Sequence, residues 1–266
     1  MPPTWLTTLA WIYLWVCFVC AGVIGYDIVF GGRRQPMGVM NVVFLITALY
    51  FGPAAVALYW RWERVGPPPA RIPSHNTGAK MAPMAMAAAR QGMHEGPHHG
   101  IDPNGHTGPA DPAMPARPHW ATMAIEVSHC GAGCTLGDLI SEWVIYAFAL
   151  TVAGRVLFAE YIGDYVLAVA LGIAFQYFAI APMRGLGVRD GLKAAAKADF
   201  ISLTFFEVGL FGWMALMAFV FFPAPHHLMP NSAPYWFLMQ IGMMIGFATS
   251  WPANVWLVNR GIKVPM

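Results

Sequence analysis

Six apolar stretches of about twenty residues constrain this chain more than anything else in it: Trp5 to Phe30, Gly38 to Trp60, Leu139 to Leu157, Gly163 to Pro182, Phe200 to Phe222 and Tyr235 to Val258. An α-helix needs about 20 apolar residues to cross the roughly 30 Å hydrocarbon core of a bilayer, so each stretch is long enough to cross once. Inside lipid a segment must satisfy its own backbone hydrogen bonds, and runs of this length exceed what a barrel strand uses. The expected fold is all-α, a polytopic membrane helix bundle of about six transmembrane helices. Composition agrees, with 58% of the 266 residues hydrophobic and 11% charged, against roughly 25% charged in a soluble domain. A net charge of +2, with basic residues scattered between the runs, leaves no surface for nucleic acid, and the partner expected is membrane lipid.

The runs divide the chain into an N-terminal hairpin over 1–64 and a four-helix domain over 119–266. Between them, 65–118 is rich in Pro, Gly, Ala, Met and His; with almost no branched apolar residues it cannot bury a core and is expected to be disordered. The first run has no basic leader and is too long for a signal-peptide core, so it reads as a retained helix. Cytoplasmic loops retain Lys and Arg; the Arg184 to Lys197 loop is basic, whereas Pro223 to Pro234 has neither residue. Six crossings then place both termini in the cytoplasm.

The densest chemistry lies in His129-Cys130-Gly131-Ala132-Gly133-Cys134-Thr135-Leu136-Gly137-Asp138, followed by Glu142-Trp143. Two thiols and an imidazole, His129, Cys130 and Cys134, offer soft and borderline ligands. Three ligands suit Cu(I) better than structural zinc, which takes four, so copper is the expected metal and zinc the alternative. Glu126, Asp138, Glu142 and Glu207 could tune those ligands or carry protons. On a helix the four-residue repeat from Glu126 to Glu142 drifts by about 40° per step, so neighbours converge while the ends diverge. Gly131, Gly133 and Gly137 leave open a Gly-rich loop entering the third span. The plainer alternative makes both cysteines small buried residues.

At this motif the sequence resembles a bacterial multi-pass inner-membrane family of unknown function whose members are often loosely labelled copper oxidase. The resemblance rests on His129 to Asp138 with Glu142-Trp143, covers about Trp120 to Val258, and implies a bacterial inner-membrane location.

Further soft ligands lie in and beside the linker, where Met81, Met84, Met86, Met93, His94, His98, His99, His106, Met114 and His119 could capture copper. His226 and His227, with Met229, could form an entrance or exit ligand set. Cys17 and Cys20 read as buried apolar thiols, the Met239 and Met243 pair as core, and Gly242 with Gly246 as a close helix contact. Asp27, Arg155, Glu160 and Asp164 lie near span ends, where interfacial solvation accounts for them.

The function expected is Cu(I) binding and transfer or transport in the inner membrane, with a copper chaperone or copper enzyme as partner, and a metal handler more than an enzyme. The alternatives are a membrane oxidoreductase cycling Cys130 and Cys134 between dithiol and disulfide, or a structural subunit of a larger complex; a homo-oligomer is open. No nucleotide loop and no Cys-x-x-Cys-His attachment occur, so neither nucleotide nor haem is expected.

Overall fold

The computed structural model describes residues 2–33, 35, 37–64, 117–184, 187–224 and 226–263, with the side chains of 180–184 and 198 excepted. The linker ligands Met81, Met84, Met86, Met93, His94, His98, His99, His106 and Met114 lie outside the described residues. Seven helices are found among the described residues: α1 (Thr4–Val29), α2 (Gly38–Phe51), α3 (Pro53–Leu58), α4 (His119–Phe148), α5 (Val156–Arg184), α6 (Val188–Leu216) and α7 (Ala233–Asn259). π-helical turns extend α3 over Tyr59–Glu63 and α6 over Met217–Phe221. Four stretches, Thr4–Val29, Val156–Ala179, Asp199–Phe221 and Ala233–Asn259, are long and apolar enough to cross a membrane. The protein is an all-α polytopic bundle. Trp5, Trp11, Trp15 and Phe18 of α1 are exposed, an apolar face suited to lipid.

The second apolar run is not one helix. Gly52, with φ 53° and ψ −122°, ends α2 in a conformation that a residue with a Cβ rarely adopts. Pro53 then starts α3, where its missing N–H is not needed. The chain doubles back: Gln35, ahead of α2, donates through Nε2 to the carbonyl of Glu63, beyond α3. The rings of Phe44 and Tyr59 pack at 5.4 Å between centroids. The turn lies level with the middle of α1, where Tyr13 Oη donates to the Tyr50 carbonyl at 2.9 Å, and Gln240 of α7 donates to the Leu49 carbonyl. These side chains satisfy carbonyls at the end of α2 that have no helical partner. Residues 38–63 thus form a helical hairpin whose two ends lie together. Asp27, near the end of α1, joins them by accepting from Arg64 at 2.9 and 3.1 Å and from Tyr59 at 3.1 Å. Hydropathy misses the reversal because both halves are as apolar as a span.

The third run is displaced as well. α4 starts twenty residues before Leu139 and ends at Phe148, where the chain reverses through Ala149 and Ala153, both at positive φ, and Gly154. The motif is therefore the middle of a continuous 30-residue helix and not a loop. Every residue from 123 to 135 is buried. Two glycines admit α5: a methyl on Gly133 would lie 2.5 Å from Gly172 Cα, and one on Gly137 would lie 2.6 Å from Ala168 N. Each glycine costs roughly 1 kcal/mol of helix propensity, offset here by backbone-to-backbone packing. Gly246 does the same for α7, where a methyl would stand 2.8 Å from the Phe206 carbonyl oxygen of α6. A hydropathy reading places α4 wrongly because it scores fitness for lipid, and this helix is buried in protein over residues 123–135 while its last turns, with Trp143 and Phe148, are exposed.

Candidate functional site

Because α4 is buried over most of its length up to Asp138 and keeps Ser141 and Glu142 inward beyond it, the slow drift of its four-residue repeat does not carry the polar side chains out of the bundle. It presents them in turn to α6, the C-terminal segment, α5 and α7. Glu126, His129, Cys130, Cys134, Asp138 and Glu142 are all 0% exposed. The repeat from Glu126 to Glu142 thus forms one buried row along α4, its members meeting different neighbours.

At its first end the row is saturated. α7 closes in a C-terminal turn with Gly261 at φ 66°, and the Lys263 N–H bonds back to the Leu257 carbonyl, which sends the lysine side chain inward. Lys263 Nζ donates to Asp199 Oδ1 at 2.7 Å, Cys130 Sγ at 3.0 Å and Asn254 Oδ1 at 3.0 Å, and stands 3.3 Å from Glu126 Oε2. Cys130 Sγ in turn lies 2.8 Å from Asp199 Oδ1 and accepts from Ser202 Oγ at 3.2 Å. Asn254 Nδ2 donates to Ser202 and Ser250. Burial alone would lower the Lys263 pKa, but Asp199, Cys130 and Glu126 raise it well above the ordinary value, so it stays an ammonium. Lys263, expected in a cytoplasmic loop from the charge count, is instead 2% exposed.

The middle of the row meets the tip of the helical hairpin. Tyr50 packs in one cluster with Cys130, Cys134, Leu203, Phe206 and Met243. Its hydroxyl lies 3.0 Å from where a methyl on Gly131 would stand. The His129 ring meets Phe175 of α5 edge-on, with centroids 6.3 Å apart, and neither of its nitrogens closes a hydrogen bond among the described residues. Cys130 and Cys134 thus share one cluster, whereas the His129 ring faces Phe175. Among the described residues no group of three or more His, Cys, Asp or Glu side chains is disposed to hold a metal ion. All four cysteines are free thiols.

Beyond Cys134 the row becomes acidic. Cys134 lies within reach of Glu207 of α6, and Glu142 within reach of Tyr235 of α7 and Asp164 of α5. Asp138 interacts with Glu207, Asp164 and Glu142. None of the carboxyl oxygens of Asp138, Glu142, Asp164 and Glu207 closes an ordinary hydrogen bond among the described residues. Asp164, expected to be solvated at a span end, is 0% exposed and belongs to this row. Glu207 lies where its place in the fifth run suggested, against the motif. His226 and His227 are exposed in the segment before α7.

Sequence reasoning missed Asp199, Ser202, Ser250, Asn254, Lys263 and Tyr50 as members of the row. The one signal was the pair Ser250 and Asn254, polar side chains four residues apart in an otherwise apolar helix. A family model described as Domain of unknown function (DUF4396) matches residues 119–263, from the first residue of α4 to Lys263, and so takes in every member of the row except Tyr50. No curated protein and no solved structure matches the chain. With more than half of its length covered by that model, the chain belongs to the DUF4396 family.

Proposed function

We propose that the protein moves protons, and a soft cation in exchange for them, along the α4 row. The observation that carries this reading is the continuity of buried ionisable side chains from Lys263, Asp199 and Glu126 to Glu142 and Asp164. Sixteen residues of helix, from Glu126 to Glu142, span about 24 Å at 1.5 Å per residue, most of a hydrocarbon core of roughly 30 Å. A charged residue in a bilayer costs roughly 2.5–3.5 kcal/mol on insertion scales, and such residues mark ion pathways and proton relays. Buried carboxyl groups clustered within reach of one another call for compensating positive charge, which protons or a passing cation supply. A broken helix that reaches the row at mid-depth matches the way transporters bring polar groups to a cargo site. Cu(I) is the proposed cation, since the thiols of Cys130 and Cys134 and the unpartnered imidazole of His129 stand at the centre of the row.

Charge supports an orientation for this path. Arg33, Arg61, Arg64, Arg117, Arg189, Lys193, Lys197, Arg260 and Lys263 belong to segments at the end where the hairpin opens, and Arg155 to the opposite end. The hairpin end then faces the bacterial cytoplasm. With the hairpin re-entrant, α1, α4, α5, α6 and α7 cross, and the start of α1 faces the side opposite Lys263. This odd number replaces the even one that the hydropathy runs suggest.

The test is proton movement in vesicles loaded with a pH-sensitive dye, with and without Cu(I). Wild-type protein is expected to move protons faster when Cu(I) is present, and Glu207→Gln to be at least tenfold slower while unfolding at the same temperature. Metal content before and after Cys130→Ser with Cys134→Ser checks the cargo. Proton movement no faster than in protein-free vesicles, with Cu(I) or without it, overturns the reading.

A further inference from the structure

We infer that the cavity at the acidic end of the row is a thioether site for a soft monovalent metal ion, Cu(I) or its redox-inert analogue Ag(I). The inference deepens the transport reading and rests on it only for the use to which the ion is put. The cavity holds about 520 Å³ between the start of α5, the end of α6 and the start of α7. Its walls carry Met214, Met217, Met229 and Met239 together with His227 and Glu160.

Exposure falls from the mouth inward. His227 and Met229 are exposed and Glu160 is half-buried, whereas Met214, Met217 and Met239 form the floor at 3%, 6% and 0%. Methionine in a core usually fills gaps, but here four of the chain's 17 methionines surround a void. Neutral thioethers select Cu(I)-type ions over hard cations, and an exposed imidazole supplies a borderline ligand at the mouth. Met217 lies on the π-helical turn Met217–Phe221, an irregularity that often marks functional positions. Tyr235, on the inner wall, is within reach of Glu142, the last member of the row, so one side chain separates the cavity from the path. Arg155 also lines the mouth, with its guanidinium 5.8 Å above the Phe219 ring. A fixed positive charge there disfavours a divalent ion twice as strongly as a monovalent one.

The test uses the full chain with Cys17, Cys20, Cys130 and Cys134 all replaced by Ala, titrated with Ag(I) by equilibrium dialysis. We expect this cysteine-free protein to retain a tight Ag(I) equivalent. Adding Met214→Leu, Met217→Leu and Met239→Leu, which preserve volume and apolarity, should weaken that equivalent at least tenfold while leaving any linker-bound silver in place. Should the triple variant fail to fold, Met239→Leu with His227→Ala serves, with at least a threefold loss expected. X-ray absorption of bound Cu(I) should show sulfur ligands that vanish with the methionines. Identical Ag(I) affinity and stoichiometry with and without these methionines overturns the site, as does a cysteine-free chain that binds no Ag(I) where wild type does. Either of these results beside intact proton movement removes the thioether site and leaves the transport reading standing. Methionine-dependent Ag(I) binding in a chain that moves no protons supports the site and removes the transport reading.

Discussion

The two ends of the α4 row are built on opposite principles. At the Lys263 end each strong donor has an acceptor: one ammonium reaches Asp199, Cys130, Asn254 and Glu126, and Asn254 binds Ser202 and Ser250. At the other end Asp138, Glu142 and Asp164 close no ordinary hydrogen bond among the described residues, and a cavity of about 520 Å³ opens beside Glu160 and Tyr235. One end is held together by compensated charge, and the other keeps acceptors in reserve. A row that is sealed where charge is matched and open where it is not conducts only if the sealed end can release, so the Lys263 cluster is where movement through the row should be limited.

Removing the ammonium should have the largest effect. Lys263→Met leaves Asp199 and Glu126 buried without their cation, which for a broken buried ion pair costs about 3–5 kcal/mol. Unfolding in detergent should show this loss, and Lys263→Met with Asp199→Asn should recover most of it. The Lys263 pKa is raised on folding, so its contribution is complete below the unfolded value of about 10.4 and is lost only as pH rises through the folded value. The gap between wild type and the double variant should therefore be flat from mildly acidic pH to about pH 10. A gap that closes near neutrality would show that this end is not held by an ammonium.

Accessibility should separate the ends next. In a cysteine-free background, Met217→Cys at the cavity floor should react with a small water-soluble thiol reagent at least a hundredfold faster than Ser250→Cys in the Lys263 cluster. Equal rates would erase the distinction between a sealed and an open end. A smaller effect tests the element that meets the row between them: Gly52→Ala at φ 53° should cost about 1–2 kcal/mol in the same unfolding measurement. Smallest of all is Glu160→Gln. The half-buried carboxylate stands at an open cavity with no ion pair among the described residues, so its loss should change stability by less than about 1 kcal/mol. A loss as large as that of Lys263→Met would mean that both ends are charge-matched.

What could be read from the sequence follows a physical line. α1, α5, α6 and α7 carry the long apolar stretches, and their limits fall within a few residues of the apolar runs, apart from the first turns of α5 and α6. α4 escaped because the part that carries the motif is packed among other helices, so Glu126, His129, Cys130 and Asp138 depress its hydropathy without exposing it to water. The hairpin turn escaped because Gly52-Pro53 is a weak interruption in a run of correct length. Within the site, the i, i+4 ladder of α4 and its proximity to Glu207 were legible. Lys263 and Asp199 were not, since they approach the ladder from positions 69 to 137 residues away, and no local pattern encodes that.

The hairpin also dictates an order of assembly. Its tip carbonyls at Leu49 and Tyr50 are satisfied by Gln240 and Tyr13, one from α7, which is made after the hairpin, and one from α1, which is made before it. Until α7 is in place, Leu49 lacks the donor that closes the end of α2, and an isolated half-helix is too short to rest across a bilayer. The hairpin should therefore become resistant to proteolysis during biogenesis only once α7 has been made, although it is itself made well before Gln240. A chain arrested before Gln240 should insert α1 and leave residues 38–63 open to cleavage.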